Sequence, residues 1–369
     1  MSGLDPITVE IIRNSFLAIA EEMNTSLIRS AYSWIIYEAV DCSVALIDAD
    51  RRVLGHSSGL PIFLGNLEAC LEVTEELMGQ DCWAPGDVWV LNDSELGGTH
   101  LNDVTVMSPI FFDGELAAFV VSRAHHMDVG AKDPGGTTDS TDIFQEGLRL
   151  GPTKLVDGGT RREDVFATLA RNSRLPYQLL GDLGAQVAIS KIGEQRLQEL
   201  YARYGRLTVE DARDEIYAQA ERQDRAAVAA IPDGTYKAEG CLDSDGVGGP
   251  PQWVRVTIEV AGDEMVMDLT ESDDEARGPV NCGAVQAVSA CRLAFKRLAN
   301  PHDPVNGGSF APLEIRLREG SMLAARAPAA CWWYFSALGM LIDLVGQALA
   351  DVLPDRVAGA HYGDSSITI

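Results

Sequence analysis

Val9, Ile12, Phe16, Ile19, Met23 and Leu27 recur at steps of three or four, the spacing that lines one face of an α-helix. Asp5-Pro6 just ahead of them supplies an N-cap followed by proline at the first helical position. The chain therefore opens on a long amphipathic helix. After Ser30 the pattern turns β-like: residues 42–47 predict a strand, Asp48-Ala49-Asp50 a turn, and residues 52–54 the start of a return strand. A shorter helix is predicted over 67–78. Residues 104–112 and 115–123 flank Asp113-Gly114, a dipeptide favoured in two-residue hairpin turns, and so predict a β-hairpin. From 162 to 230 the text is helical, with Ile189, Gly193, Leu197, Leu200 and Tyr204 on one stripe and Thr208-Val209-Glu210-Asp211 opening a further helix. Strands return at 234–242, 253–260 and 265–269, the last two joined across Gly262-Asp263. Residues 285–298 predict a helix, 313–317 a strand and 338–352 a final apolar helix. Elements in blocks rather than strict alternation predict an α+β, multi-lobed mixed fold with antiparallel hairpins instead of a doubly wound sheet. Its parts are an α+β lobe over 1–160, a helical segment over 161–231 and a second α+β lobe over 232–369.

Composition narrows the function classes. With 369 residues, 46% hydrophobic and 23% charged, the chain has ample material for a packed core. Its net charge of -26 repels nucleic acid and anionic membrane, and no Lys/Arg cluster offsets it locally. The seven cysteines, Cys42, Cys70, Cys82, Cys241, Cys282, Cys291 and Cys331, are scattered without a CxxC pair, so they read as reduced thiols rather than as a disulfide framework or a thiolate zinc site. The first residues lack the basic and apolar regions of a signal peptide, and the weakly polar run 327–342 is broken by Pro328 and Gly339. A cytoplasmic protein is expected.

Three of the six histidines fall in one short region. Gly97-Gly98-Thr99-His100-Leu101-Asn102-Asp103 precedes the hairpin and Ala124-His125-His126-Met127-Asp128 follows it. With Asp113 and Gly114 as loop residues, Phe112 faces Glu115, so Asp103 lies opposite Ala124 and Asn102 opposite His125; the two segments meet at the open end of the hairpin. Mixed imidazole and carboxylate donors suit Zn²⁺, Mn²⁺ or Fe²⁺, which makes His100, Asp103 and a histidine of the pair candidate metal ligands. Strict alternation leaves two questions open. His100 and Asp103, three apart, share a face only where 99–102 leaves regular strand geometry, and parity sets His125 on the Asn102 face and His126 on the Asp103 face.

Residues 130–142, rich in Gly, Asp, Thr and Ser, read as an exposed loop beside the histidines, a lid or substrate cradle. Glu146, just past it, is the candidate catalytic base. The run Cys331-Trp332-Trp333-Tyr334-Phe335 reads as core or subunit interface. No GxxxxGK[ST] loop, GxSxG elbow or strand-turn-helix dinucleotide pattern is present, so the chain is not expected to bind ATP itself.

These residues, with Asp5 to Ile12, Glu38, Asp41-Cys42-Ser43, Leu60-Pro61, Asn92-Asp93, Asp128-Val129-Gly130, Glu146-Gly147, Asp182-Leu183, Ala185-Gln186 and Pro279-Val280-Asn281-Cys282, give the chain a resemblance to the hydantoinase B/oxoprolinase family over nearly its whole length. That family includes the B components of ATP-dependent hydantoinases, 5-oxoprolinase and caprolactamase, and related components of acetone and acetophenone carboxylases. The resemblance implies a divalent metal, Zn or Mn, held by Asp41, His100, Asp103 and His125, and so prefers His125 over its neighbour. It implies a hydantoinase A-type partner that uses ATP to phosphorylate the substrate, and ring opening of a hydantoin, lactam or 5-oxoproline-like amide with His126 or Glu146 relaying protons. The alternative is a component of a ketone carboxylase, and a second alternative is a non-catalytic assembly component. Two departures stand out. Family members continue beyond residues 360–363, implying a truncated chain or a further polypeptide carrying the C-terminal region. Residues 331–335 are also more aromatic than the small-residue stretch usual in hydantoinase relatives, which points towards an aromatic substrate.

Overall fold

Asp5 caps the first helix as its position predicts. Its side chain accepts the Ile7 N–H, and helix α1 (Pro6–Ser30) buries Val9, Ile12, Phe16, Ile19, Met23 and Leu27 along one face. The computed structural model describes residues 4–63 and 65–360. A short helix α2 (Trp34–Tyr37) leads into a seven-stranded antiparallel sheet built from β1 (Cys42–Asp48), β2 (Val53–His56), β3 (Val88–Leu91), β4 (Asp103–Phe112), β5 (Glu115–His125), β6 (Thr153–Asp157) and β7 (Thr160–Arg161). Its spatial order is β2-β1-β5-β4-β3-β6-β7. Helix α3 (Leu67–Met78) follows β2, and α4 (Glu163–Arg171), α5 (Pro176–Tyr204) and α6 (Arg206–Ala229) follow β7.

The helical stretch closes this sheet. Side chains of α1, α5 and α6 pack on one face, against Val44, Leu46 and Val120, while α3 covers the other, against Ala45, Ile47, Phe119 and Val121. Every residue of β1 is buried, which follows from a strand sandwiched on both sides and explains the apolar run from Val44 to Ile47. Strands β3, β6 and β7 are not legible in the sequence: β3 is a four-residue apolar run, too short for its periodicity to separate strand from helix.

A second, four-stranded sheet has the order β11-β10-β9-β8, from β8 (Gly234–Leu242), β9 (Gln252–Ala261), β10 (Glu264–Asp268) and β11 (Leu313–Arg316). Helices α7 (Ala284–Ala299) and α8 (Tyr334–Leu349) cover it with an apolar layer that includes Phe295, Leu341 and Val345. The expected α+β fold is thus present, with β10 and β11 the one parallel pair among the described residues. Helix α8 starts four residues earlier than 338, because Tyr334 and Ala337 extend the buried stripe of Leu338, Leu341 and Leu344 upstream. Among the described residues no helix is long and apolar enough to cross a membrane.

One local irregularity decides the site. The hairpin begins in the expected register, Phe112 opposite Glu115 and Phe111 opposite Leu116, then shifts so that Ile110 faces Ala118. The bulge leaves Ala117 as an extra residue on β5, opposite the step between Ile110 and Phe111. Every pair beyond it moves by one, and Asp103 ends opposite His125 instead of Ala124.

Candidate metal centre

Between β3 and β4 the chain makes a 3₁₀ turn over Ser94–Leu96. It then passes Gly98 so close to its own backbone that a Cβ there would stand 2.4 Å from the Asn92 carbonyl oxygen. Only glycine fits that approach. The Asp103 N–H next bonds the His100 carbonyl at 3.0 Å, closing a turn that carries both side chains to one side. The conflict between strand alternation and an HxxD pair disappears because His100 lies before the strand, in the turn.

On the far side of the hairpin the bulge sets His125 on the Asp103 face. His100 Nε2 and His125 Nδ1 each lie 3.0 Å from Asp103 Oδ1, and 3.0 Å from one another. Asp41 arrives from a third direction. Strand β1 pairs with β5 so that Cys42 faces Ala124, the His125 N–H bonds the Asp41 carbonyl at 3.0 Å, and Asp41 Oδ2 stands 3.8 Å from His125 Nδ1.

Groups behind the donors hold them in place. The His100 Nδ1 faces the Trp332 carbonyl at 3.1 Å; a carbonyl only accepts, so Nδ1 carries a proton and Nε2 is the ring nitrogen left to an ion. Asp103 Oδ2 accepts the Thr99 hydroxyl and the Tyr334 hydroxyl at 3.3 Å, which leaves Oδ1 facing the imidazoles. Burial pushes the Asp103 carboxyl up, but the charges and hydrogen bonds of His100 and His125 outweigh it and hold the group well below the usual carboxylate range. Burial, and next the negative charge of Asp103, raise the Asp41 pKa to about 6. Burial alone would lower the His100 pKa; Asp103 and the Trp332 carbonyl together raise it above its ordinary value.

The donor set fits a divalent d-block ion. Ligand atoms of His100, Asp103 and His125 all lie within 4.8 Å of one another, two nitrogens and an oxygen converging on one point, with a second carboxylate, Asp41, beside them. In that carboxylate Oδ1 is buried without a hydrogen-bond partner among the described residues.

The remaining candidates are not brought to this point. His126 points into the sheet–helix interface, where its Nε2 bonds Gln186 Oε1 of α5 at 3.0 Å, and burial lowers its pKa. Glu146 is fully buried and spends its oxygens on the Ser140 hydroxyl at 2.6 Å and on the amides of Cys331 and Trp332 at 3.0 Å each. Burial raises its pKa against those bonds. Neither residue lines the cavity above the donors.

That cavity, about 580 Å³, is walled by Leu60, Ile62, Phe63, Trp332 and Phe335, with His100 and Asp103 among its lining residues. The expectation that the aromatic run is core or interface holds for Tyr334, which belongs to the second core, while Trp332 and Phe335 wall the cavity. Residues 331–332 are pinned by Glu146, so Trp332 stands over His100 with ring centroids 5.4 Å apart. Two residues that are not sequence candidates for the site also serve the centre. Tyr334 bonds Asp103, and the fully buried Arg123 donates to the Gly97 carbonyl, Asn66 Oδ1 and Thr105 Oγ1, fixing the turn that carries His100. No local pattern marks either, since their partners lie 18 to 231 residues away.

Comparison with known proteins places this arrangement. The putative B component of the D-/L-hydantoinase of Pseudomonas sp. (strain NS671) is 33% identical over 374 residues, covering 97% of this chain and 63% of its own length. The beta chain of the caprolactamase of Pseudomonas jessenii is 32% identical over 374 residues, covering 100% and 64%. The chain thus spans a little under two thirds of these curated relatives. The crystal structure of the ATP-dependent caprolactamase from Pseudomonas jessenii superimposes with a TM-score of 0.89 at 30% identity, over 96% of this chain and 62% of that one. Nucleotide-free acetone carboxylase gives the same TM-score, 0.89, at 19% identity over 97% and 50%, a likeness of fold alone. The family model for hydantoinase B/oxoprolinase matches residues 5–369, the span that contains the hairpin, the turn before it and the wall that closes over them, and the chain belongs to that family.

Proposed function

We propose that this chain is the metal-dependent catalytic subunit of an ATP-dependent amidohydrolase that opens a hydantoin, lactam or 5-oxoproline-like ring. A hydantoinase A-type partner binds ATP and phosphorylates the amide oxygen of the substrate. The observation that carries the reading is the meeting of His100, Asp103 and His125 donor atoms 3.0 Å apart in the floor of a cavity large enough for a small ring. With Asp41 they would hold a Zn or Mn ion, whose contribution when bound is Lewis-acid polarisation of an oxygen.

The chain's own residues supply the rest. Trp332, Phe335, Leu60 and Ile62 exclude water from the face where the ring sits, which strengthens every polar interaction inside. Thr99 and Tyr334 fix the Asp103 carboxylate, and the Trp332 carbonyl fixes the His100 tautomer. His126 and Glu146 enter as positioning residues: His126 ties the end of β5 to α5 through Gln186, and Glu146 locks the Trp332 segment over the centre. Relatives named for cyclic-amide chemistry share 33% and 32% identity, whereas the likeness to acetone carboxylase, at 19%, extends only to fold; this favours hydrolase over carboxylase.

The test is ADP release by the complex with its partner on hydantoins, lactams and ketones, with and without bicarbonate. Release on a cyclic amide without bicarbonate is expected, and a strict bicarbonate requirement would make the chain part of a carboxylase. His100→Ala should abolish turnover while leaving the circular dichroism spectrum unchanged; retained turnover would sink the metal-centre reading.

A further inference from the structure

We propose that a second cavity, next to the catalytic one, binds a small organic carboxylate through Lys296 and Arg292. It lies between residues 56–61, one face of α7 and residues 301–310, encloses about 270 Å³ and shares Leu293 with the catalytic cavity. Ser289, Arg292, Leu293 and Lys296 line it from α7, at the three- and four-residue spacing that puts side chains on one helix face. Ser289 is spent on the Ile62 carbonyl, and Arg292 bonds Glu68 and the Gly65 carbonyl through Nη1.

Lys296 is different. Its Nζ is buried and has no hydrogen-bond partner, and no ion pair includes it among the described residues. An ammonium removed from water in this way is costly unless something supplies the missing acceptors. Its place in the last turn of α7 offers a weak dipole interaction but no acceptor. The nearby Asp224 and Asp303 attract it through space without a hydrogen bond; the Asp224 oxygens bond Asn300 Nδ2 and the Phe310 N–H. Asp303, the carboxylate that lines this cavity, is exposed. His56 is also spoken for, facing the Ser57 carbonyl through Nδ1 and accepting the Val305 N–H at Nε2.

The acceptor that fits is therefore an oxygen anion from outside the chain. Pro61, Leu293, Pro304 and Phe310 give the cavity apolar walls, and at roughly 30 Å³ per water-sized group it has room for about nine such groups. A mono-anion with a short apolar body matches this better than phosphate, which asks for a cluster of donors around three oxygens. Ring opening of a cyclic amide by water breaks the C–N bond and leaves one new carboxylate and one freed nitrogen group, so the carboxylate end of the linear product is the natural occupant. That last step rests on the function proposed above; binding of the carboxylate itself does not.

The probe is hexanoate, titrated calorimetrically into the full chain, with hexylamine and inorganic phosphate as controls. Hexanoate should bind in a 1:1 ratio to both the wild type and His100→Ala, the second variant removing the catalytic centre as a rival site. Lys296→Met should weaken binding about tenfold or more, the loss of one charge-assisted hydrogen bond, and Lys296→Arg should retain most of it. Because Lys296→Met deletes an unpaired buried charge, it should melt no lower than wild type. Absence of hexanoate binding, a preference for phosphate, unchanged affinity in Lys296→Met, or loss of binding in His100→Ala would each overturn the proposal. A complex that turns over no cyclic amide yet still binds hexanoate through Lys296 would instead remove the functional reading and leave this site standing.

Discussion

Arg123 is fully buried on β5 two residues before His125, and its guanidinium bonds neutral partners: Thr105 Oγ1, Asn66 Oδ1, the Gly97 carbonyl and Cys70 Sγ. It spaces the turn that carries His100 against the strand that carries His125. Arg123→Met keeps an apolar stem but leaves Asn66 Oδ1 without a donor and the Gly97 carbonyl with only the weak Cys70 thiol, which costs on the order of 3 kcal/mol. Urea denaturation should show that loss, and turnover should fall as well, because His100 is no longer held to its place. His125 and His126 make a similar point about adjacency. One faces Asp103 and the other faces Gln186, so neighbours in sequence serve opposite faces of the sheet.

The loop 130–142 and the start of α8 form one working element. Gly136 has a φ of +153°, and a Cβ on it would stand 2.0 Å from Trp332 Cζ2. The backbone lies flat against the indole, and the indole lies over His100. Gly136→Ala must therefore push Trp332 away from the centre. Turnover should drop about a hundredfold, as a 1 Å misplacement can produce, at a stability cost of only about 1–2 kcal/mol for the strained backbone. Comparable losses in turnover and in unfolding free energy would show that Trp332 is structural only. The hairpin bulge is the other decisive element, because one extra residue at Ala117 reverses which histidine meets Asp103.

Taken as a molecule, the centre is assembled from distant parts. Asp41 comes from the approach to β1, His100 and Asp103 from the turn into β4, His125 from β5, and the wall from the start of α8 on the second sheet. An ion that ties such parts together binds only the folded state, so it must raise the melting temperature by mass action. At a hundredfold excess over its Kd, Zn²⁺ or Mn²⁺ should add about 2.7 kcal/mol. The shift should vanish in His100→Ala, and a chain that melts identically with and without either ion would favour a purely structural role in assembly. Helix α1, strands β1, β4 and β5 and the hairpin follow from periodicity, capping and the Asp113-Gly114 turn. These depend on residues a few positions apart, and so the sequence alone determined them. It also brought His100, Asp103 and the histidine pair to one end of the hairpin. Asp41 came only by resemblance, since its position beside His125 depends on the β1–β5 pairing across some 80 residues. The choice of His125, the turn that reconciles His100 with Asp103, and the placing of Trp332 and Arg123 belonged to the tertiary structure. A bulge, a close backbone approach and a buried hydrogen-bond network are set by packing between distant segments, and no local pattern of hydrophobic and polar residues encodes them.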